Sequence, residues 1–157
     1  MPFAKVEFLP FYDGMNSGSH TPEAEVIVEL HALWNSGDLS KIPQIYSEYF
    51  VAHMPKGWKQ SEFHGHRGVK GAILRIRSAF ADWHEEIEDM VVEQGKVVTR
   101  YVSTGTHTGK FIGLEATGCS VKIDEMSIYH IENNLVIEQW CLTDDLSLAQ
   151  QLGLIEA

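Results

Sequence analysis

From residue 84 to residue 142 the chain carries one strand signal after another. Residues 84–93 hold Ile87, Met90, Val91 and Val92, and residues 96–108 are rich in Val, Thr and Tyr. In residues 120–131, Val121, Ile123, Met126, Ile128 and Ile131 recur at strand spacing, and residues 135–142 follow as a further strand. β-Branched and aromatic residues at this repeat suit a pleated, half-buried surface. Turn signals fall between the segments at Gln94-Gly95 and Asn133-Asn134, and residues 110–118 carry the breaks of a longer connection. This pattern predicts an antiparallel meander, and a sheet of that length needs a second layer against one face.

The first half supplies that layer. Thr21-Pro22 reads as an N-cap followed by Pro at the first helical position, with Glu23 and Glu25 in the first turn. Val26, Leu30, Leu33 and Trp34 then repeat at helical spacing until Gly37. Asp38 caps a second, short helix whose apolar face is Leu39, Ile42, Ile45 and Tyr46, with Pro43 ending or bending it. Residues 49–53 read as a brief strand and 54–66 as a loop rich in Pro, Gly, Lys and His. A third helix runs from Gly68 with Val69, Ile73, Ile76 and Phe80 on one face, closed by Asp82. Asp144 or Asp145 caps a final helix that ends at Gly153.

The expected fold class is therefore α+β: a cone-shaped, curved antiparallel sheet with helices packed on its concave face around an apolar pocket. Residues 1–20 show no sustained period and are read as an N-terminal arm, with residues 21–157 forming a single barrel domain.

Bulk properties narrow the function. Hydrophobic content of 44% against 22% charged indicates a globular chain rather than a disordered one. No apolar run approaches the roughly 20 residues of a membrane span, and the N-terminus does not read as a secretory signal. A net charge of −10 argues against nucleic acid and anionic membranes as partners. Cys119 and Cys141 form no CxxC pair, so a cytoplasmic protein with two free thiols is expected.

Several side chains are candidates for chemistry. Asp144 stands at the end of the last strand beside the expected pocket mouth, as a base or as a helix N-cap. Strand alternation puts His107 on the face of Tyr101, Ser103 and Gly105, where it either polarises a ligand carbonyl or bonds a neighbouring strand. Asp124 and Glu125 lie on opposite faces of one strand, so only one points inward as an alternative base. Glu85, Glu86, Glu88 and Asp89 read as a solvated face that discourages edge pairing. His64-Gly65-His66, with His53 or Asp82, is a weak metal pattern, and no metal is expected. The aromatics Trp83, Tyr101 and Tyr129 either fill the core or line the pocket.

A set of motifs in fixed order carries a resemblance. Phe80-Ala81-Asp82-Trp83 follows the helix opened by Gly68-Val69; then come Gly105-Thr106-His107-Thr108-Gly109, Phe111-Ile112-Gly113 and Thr117-Gly118. Glu138-Gln139-Trp140 and Gln150-Gln151-Leu152-Gly153-Leu154 complete it. Over residues 22–155 the chain resembles the SnoaL-like polyketide cyclases, or ester cyclases, of the nuclear-transport-factor-like superfamily. The resemblance implies a cone with a pocket for a flat hydrophobic molecule. It implies aldol ring closure of an aromatic polyketide ester with neither metal nor organic cofactor, an aspartate acting as acid/base and a histidine polarising a carbonyl. It puts His53 and Trp140 at the pocket and a homodimer in solution. Aligned on Gln151-Leu152-Gly153, however, the family's acid/base position falls near Cys141 and its histidine position near Ser127. Three functions follow for such a chain: an acid/base enzyme on a small hydrophobic carbonyl compound, a non-catalytic pocket for a hydrophobic molecule, or a dimeric scaffold. The substrate itself is not encoded in any of these motifs.

Overall fold

The computed structural model describes residues 21–156; the arm expected at residues 1–20 lies outside them. Helix α1 (Pro22–Ser36) starts at Thr21, whose side chain accepts the Ala24 N–H at 3.2 Å. It stops at Gly37, which takes the left-handed φ of +70° that closes a helix end. Asp38 accepts from the Ser40 N–H and opens a short 3-10 turn (Leu39–Lys41) that runs into α2 (Ile42–Ile45). Strand β1 is longer than its sequence signal and spans Tyr46–His53. The following segment is a loop only in part, because it contains strand β2 (Glu62–His64). Helix α3 (Gly65–Ala79) begins three residues earlier than its apolar repeat and so includes His66, whose Nε2 lies 2.7 Å from the Tyr46 carbonyl oxygen.

The meander is β3 (His84–Glu93), β4 (Lys96–Thr106), β5 (Ser120–Glu132) and β6 (Leu135–Thr143), followed by α4 (Asp145–Gln151). The six strands form one curved sheet in the order β2-β1-β6-β5-β4-β3. Its meander is antiparallel throughout, but β1 runs parallel to β6, so the sheet is mixed rather than wholly antiparallel. The chain crosses from β1 through β2, α3 and three further strands before β6 returns beside it, a connection long enough for a parallel pair. Irregularities at Ile87/Asp89 and His130/Ile131 bend the strands and aid the curvature.

Two packed clusters hold the layers together. In the first, Ile27, Leu30 and Leu33 of α1 meet Phe50, Val97 and Tyr129 of the sheet. In the second, Ala79, Phe80 and Trp83 meet Phe111, Ile123 and Leu148. The motif residues around Gly105 belong to this second packing. Gly109 passes so close to the end of α3 that a Cβ there would stand 1.9 Å from the Ser78 carbonyl oxygen, and its N–H donates to Ala79 at 3.0 Å. Only glycine allows that approach. Asp82 does not close α3; it accepts the Thr106 N–H and hydroxyl at 2.7 and 2.8 Å. The two motifs are thus bonding partners that fasten β4 to the helix layer.

Candidate active site

The alternation of β5 builds the site. Its apolar residues change phase between Ile123 and Met126, whereas the backbone keeps its period and buries every second residue: Val121, Ile123, Glu125, Ser127, Tyr129 and Ile131. Glu125 and Ser127 are therefore carried into the interior, and Met126 and Ile128 are turned out, 49% and 42% exposed. Strand β4 repeats the pattern beside it, burying Val97, Thr99, Tyr101, Ser103 and Gly105.

Between the two clusters lies a cavity of about 460 Å³. Leu30, Phe63, Phe80, Trp83, Phe111 and Leu148 give it apolar walls, and Glu85, Tyr101, Glu125, Tyr129, Gln139 and Cys141 give it a polar side. The Glu125 carboxyl accepts from the Ser103 hydroxyl, lies 3.4 Å from the Tyr101 hydroxyl and 3.9 Å from the Cys141 thiol. Burial, and secondly the charge of Glu85, push its pKa up to about 8 despite the hydrogen bonds from Ser103 and Tyr101. Burial and then Glu125 push the Cys141 thiol up to about 12. Burial first, then Cys141 and Glu125, raise Tyr101 well above the ordinary phenol range. A neutral carboxyl, a phenol and a thiol thus share one face of the cavity, with Ser127 3.3 Å from the phenol.

Below them sits a second carboxylate. Glu85 is buried, not part of a solvated face: its Oε2 lies 2.7 Å from His31 Nδ1, and its Oε1 accepts the Trp83 indole N–H at 3.1 Å. Its backbone N–H and carbonyl are both bonded to the Asn35 side chain. His31 also stands edge-on to Tyr101, with centroids 4.7 Å apart, and its Nε2 is 3.4 Å from the Tyr129 hydroxyl.

The structure brings together some of the candidate residues and separates others. Trp83, Tyr101 and Tyr129 line the cavity. Asp144 does not; it is the N-cap of α4, accepting the Ser147 N–H at 3.0 Å in an exposed position. His107 is fully buried beyond the end of β4, against the Phe80 ring and outside the cavity wall. Its Nδ1 accepts the Thr117 N–H at 3.3 Å and lies 2.9 Å from the Thr117 hydroxyl. Trp140 and His53 stack on the outer face of the sheet, centroids 5.0 Å apart. Trp140 pairs across the sheet with Ile128, so both must point outward, and the intervening Gln139 faces the cavity instead. His53 is occupied by Glu62 and Glu138 at 3.2 and 2.8 Å.

Three residues of the site, Glu125, Glu85 and His31, carry no motif. For Glu125 strand alternation requires that it or Asp124 face inward, and the phase break in β5, a regular strand with a polar residue where the apolar spacing slips, puts Glu125 there. For His31 there is no such signal, because a histidine on the apolar side of a helix is ordinarily core.

The sequence profile of the SnoaL-like polyketide cyclases matches residues 24–152. Among solved structures, a candidate polyketide cyclase from Bacillus cereus is 33% identical, covers 86% of this chain and 83% of its own, and superposes with a TM-score of 0.72. TsrD from Streptomyces laurentii is 25% identical over 88% of this chain and 100% of its own, with a TM-score of 0.77. IdmH from Streptomyces antibioticus, also a candidate polyketide cyclase, is 26% identical over 85% and 99%, with a TM-score of 0.74. No curated protein matches the chain.

Proposed function

The chain belongs to the SnoaL-like polyketide cyclase family, and on that premise we propose that it is an acid/base enzyme that enolises a small hydrophobic carbonyl compound, as in an aldol ring closure or a related isomerase or hydratase step. The observation that carries this reading is Glu125, a carboxyl sunk in the wall of an apolar cavity with its pKa near 8. A base of that strength takes a proton α to a carbonyl far better than an ordinary carboxylate, and its pKa is close to a working pH. Its ionised form removes the α-proton; Tyr101, whose hydroxyl lies 3.4 Å from the same carboxyl, donates to the developing enolate oxygen. The apolar walls keep water from quenching the carbanion. In this reading the acid/base role falls to Glu125 rather than to Asp144, and His107 holds the packing around Phe80. No cofactor takes part in these steps.

A second reading rests on Cys141. Its thiol stands where the resemblance puts the family's acid/base group and is too weakly acidic to replace it. On that reading the cavity binds a hydrophobic metabolite without turning it over. Two partner statements accompany either reading. The outer face of the sheet pairs Met126 with Leu142 and Ile128 with Trp140, an apolar ladder open to water that suits a second copy of this chain. Free cysteines suit the cytoplasm.

The test is deuterium exchange at the α-carbon of flat aromatic ketones and diketones in D2O, followed by NMR. The enzyme reading expects exchange catalysed by the wild type and lowered about 100-fold in Glu125→Gln. A bound ketone with no catalysed exchange selects the binding reading, and equal exchange in the variant removes Glu125 from the role.

A further inference from the structure

The chain is strongly acidic, yet its positive charge is gathered in one place. Residues 54–79 hold six of the twelve Lys and Arg and a single acidic residue, Glu62, against a net charge of −10 for the whole. Three of the six, Lys59, Arg67 and Arg75, line the cavity or the depression beside it. Lys59 and Arg75 stand on the cavity rim, and Arg75 also borders a second depression of about 360 Å³ next to it. Gln60, Phe63 and Ala72 line both, so the two hollows lie side by side.

The second hollow lies along one face of α3. Arg67, Gly71 and Arg75 are spaced by four residues and so stand above one another on the helix. A glycine in a helix interior costs stability, and here no packing demands it, since a Cβ on Gly71 would meet nothing within 4 Å. It leaves an open trough between two guanidinium groups. The other arginines of the described chain are occupied: Arg77 donates to the Asn35 and Ala81 carbonyls at 2.8 and 3.2 Å, and Arg100 pairs with Asp89 at 2.7 Å. Arg67 and Arg75 have no carboxylate within ion-pairing range among the described residues. Glu62, the carboxylate of this hollow, is itself engaged by His53 at 3.2 Å and His64 at 3.7 Å.

Screening confines a charge's influence to about 10 Å at ordinary ionic strength, so a ligand at the mouth meets this patch rather than the net charge. We infer that the Arg67–Gly71–Arg75 trough is an anion subsite, which holds a carboxylate or phosphate at the end of a ligand whose apolar body fills the cavity. Guanidinium groups bind both anions through paired N–H donors. The subsite sets specificity: it selects acids over the corresponding neutral esters. This inference rests on the cavity being the ligand site.

Quenching of the cavity tryptophans by naphthoate, methyl naphthoate and naphthyl phosphate tests it. In the wild type at about 20 mM salt, at least one of the two anions binds about tenfold tighter than the ester, and the advantage shrinks toward unity at about 500 mM. Which anion gains identifies the group the trough prefers. In Arg67→Gln/Arg75→Gln the advantage disappears while ester affinity changes less than about twofold. Gly71→Glu, which sets a carboxylate in the trough without touching either arginine, reverses it. Ester binding equal to that of both anions in the wild type, or an advantage that survives the double substitution, overturns the subsite and leaves the cavity reading intact. Binding of none of the three compounds overturns the cavity reading, and the subsite with it.

Discussion

His31 Nδ1 and Glu85 Oε2 stand 2.7 Å apart although 54 residues separate them in the chain, and both are buried. They tie the middle of α1 to the start of β3 directly beneath the cavity. Removing one partner leaves a buried polar group without its hydrogen bond, which costs about 1–3 kcal/mol. His31→Ala is expected to lower stability by about 2 kcal/mol. His31→Ala combined with Glu85→Gln is expected to lose less than the two single changes added together. Urea titrations of the four proteins check this; additive losses would mean that the contact carries no coupling.

Glu125 gives stability a pH dependence of definite sign. Its carboxyl is held neutral up to about 8 in the folded protein and ionises near 4.5 when exposed. Between those values the folded state keeps a proton that the unfolded state has released, so its contribution is fully present below about 4.5 and is lost as pH rises through 8. Glu125→Gln removes that dependence and gains on the wild type by roughly 2 kcal/mol between mildly acidic and mildly alkaline solution. Melting curves across this range check it, and parallel profiles for the two proteins would contradict it.

Enolisation by ionised Glu125 follows the same titration in the opposite sense. Exchange activity is expected to rise with pH and level off above about 8. A rate that falls through that value would identify the neutral carboxyl as a proton donor instead.

The two thiols differ sharply in exposure. Cys119 is exposed, while Cys141 is buried with its thiol pushed up to about 12. A disulfide reagent at pH 8 is expected to titrate one thiol of the native protein within minutes and the second only in denaturant. Two equally fast thiols would mean that the cavity side of β6 is open.

The outer ladder predicts the oligomeric state. Leu142 and Trp140, 69% and 39% exposed, stand in adjacent positions of that face. Sedimentation is expected to report a dimer for the wild type and a monomer for Leu142→Glu. A monomeric wild type would leave this face without the proposed occupant.

What could be read in advance was local. The Thr21 and Gly37 caps, the turns at Gln94-Gly95 and Asn133-Asn134 and the Asp144 cap each depend on groups a few residues apart, and they appear at those places. The resemblance misled for Trp140 and His53, whose expected inward orientation came from family positions; cross-strand pairing with Ile128 turns Trp140 outward. The start of α3 was missed because His64, Gly65 and His66 carry no apolar repeat, although the Tyr46 carbonyl holds His66 in place.

By itself, then, the sequence determined the elements other than β2, their order, the α+β class and the family, since backbone periodicity, caps and turn residues act over a few residues. Tertiary structure decided which polar groups became a site. Burial of Glu125 follows from the register of β5 between β4 and β6, and the partnership of His31 with Glu85 from the docking of α1 on β3. Both are settled by the free energy of packing whole layers, in which a few polar groups are carried inside because their strand or helix buries many apolar ones.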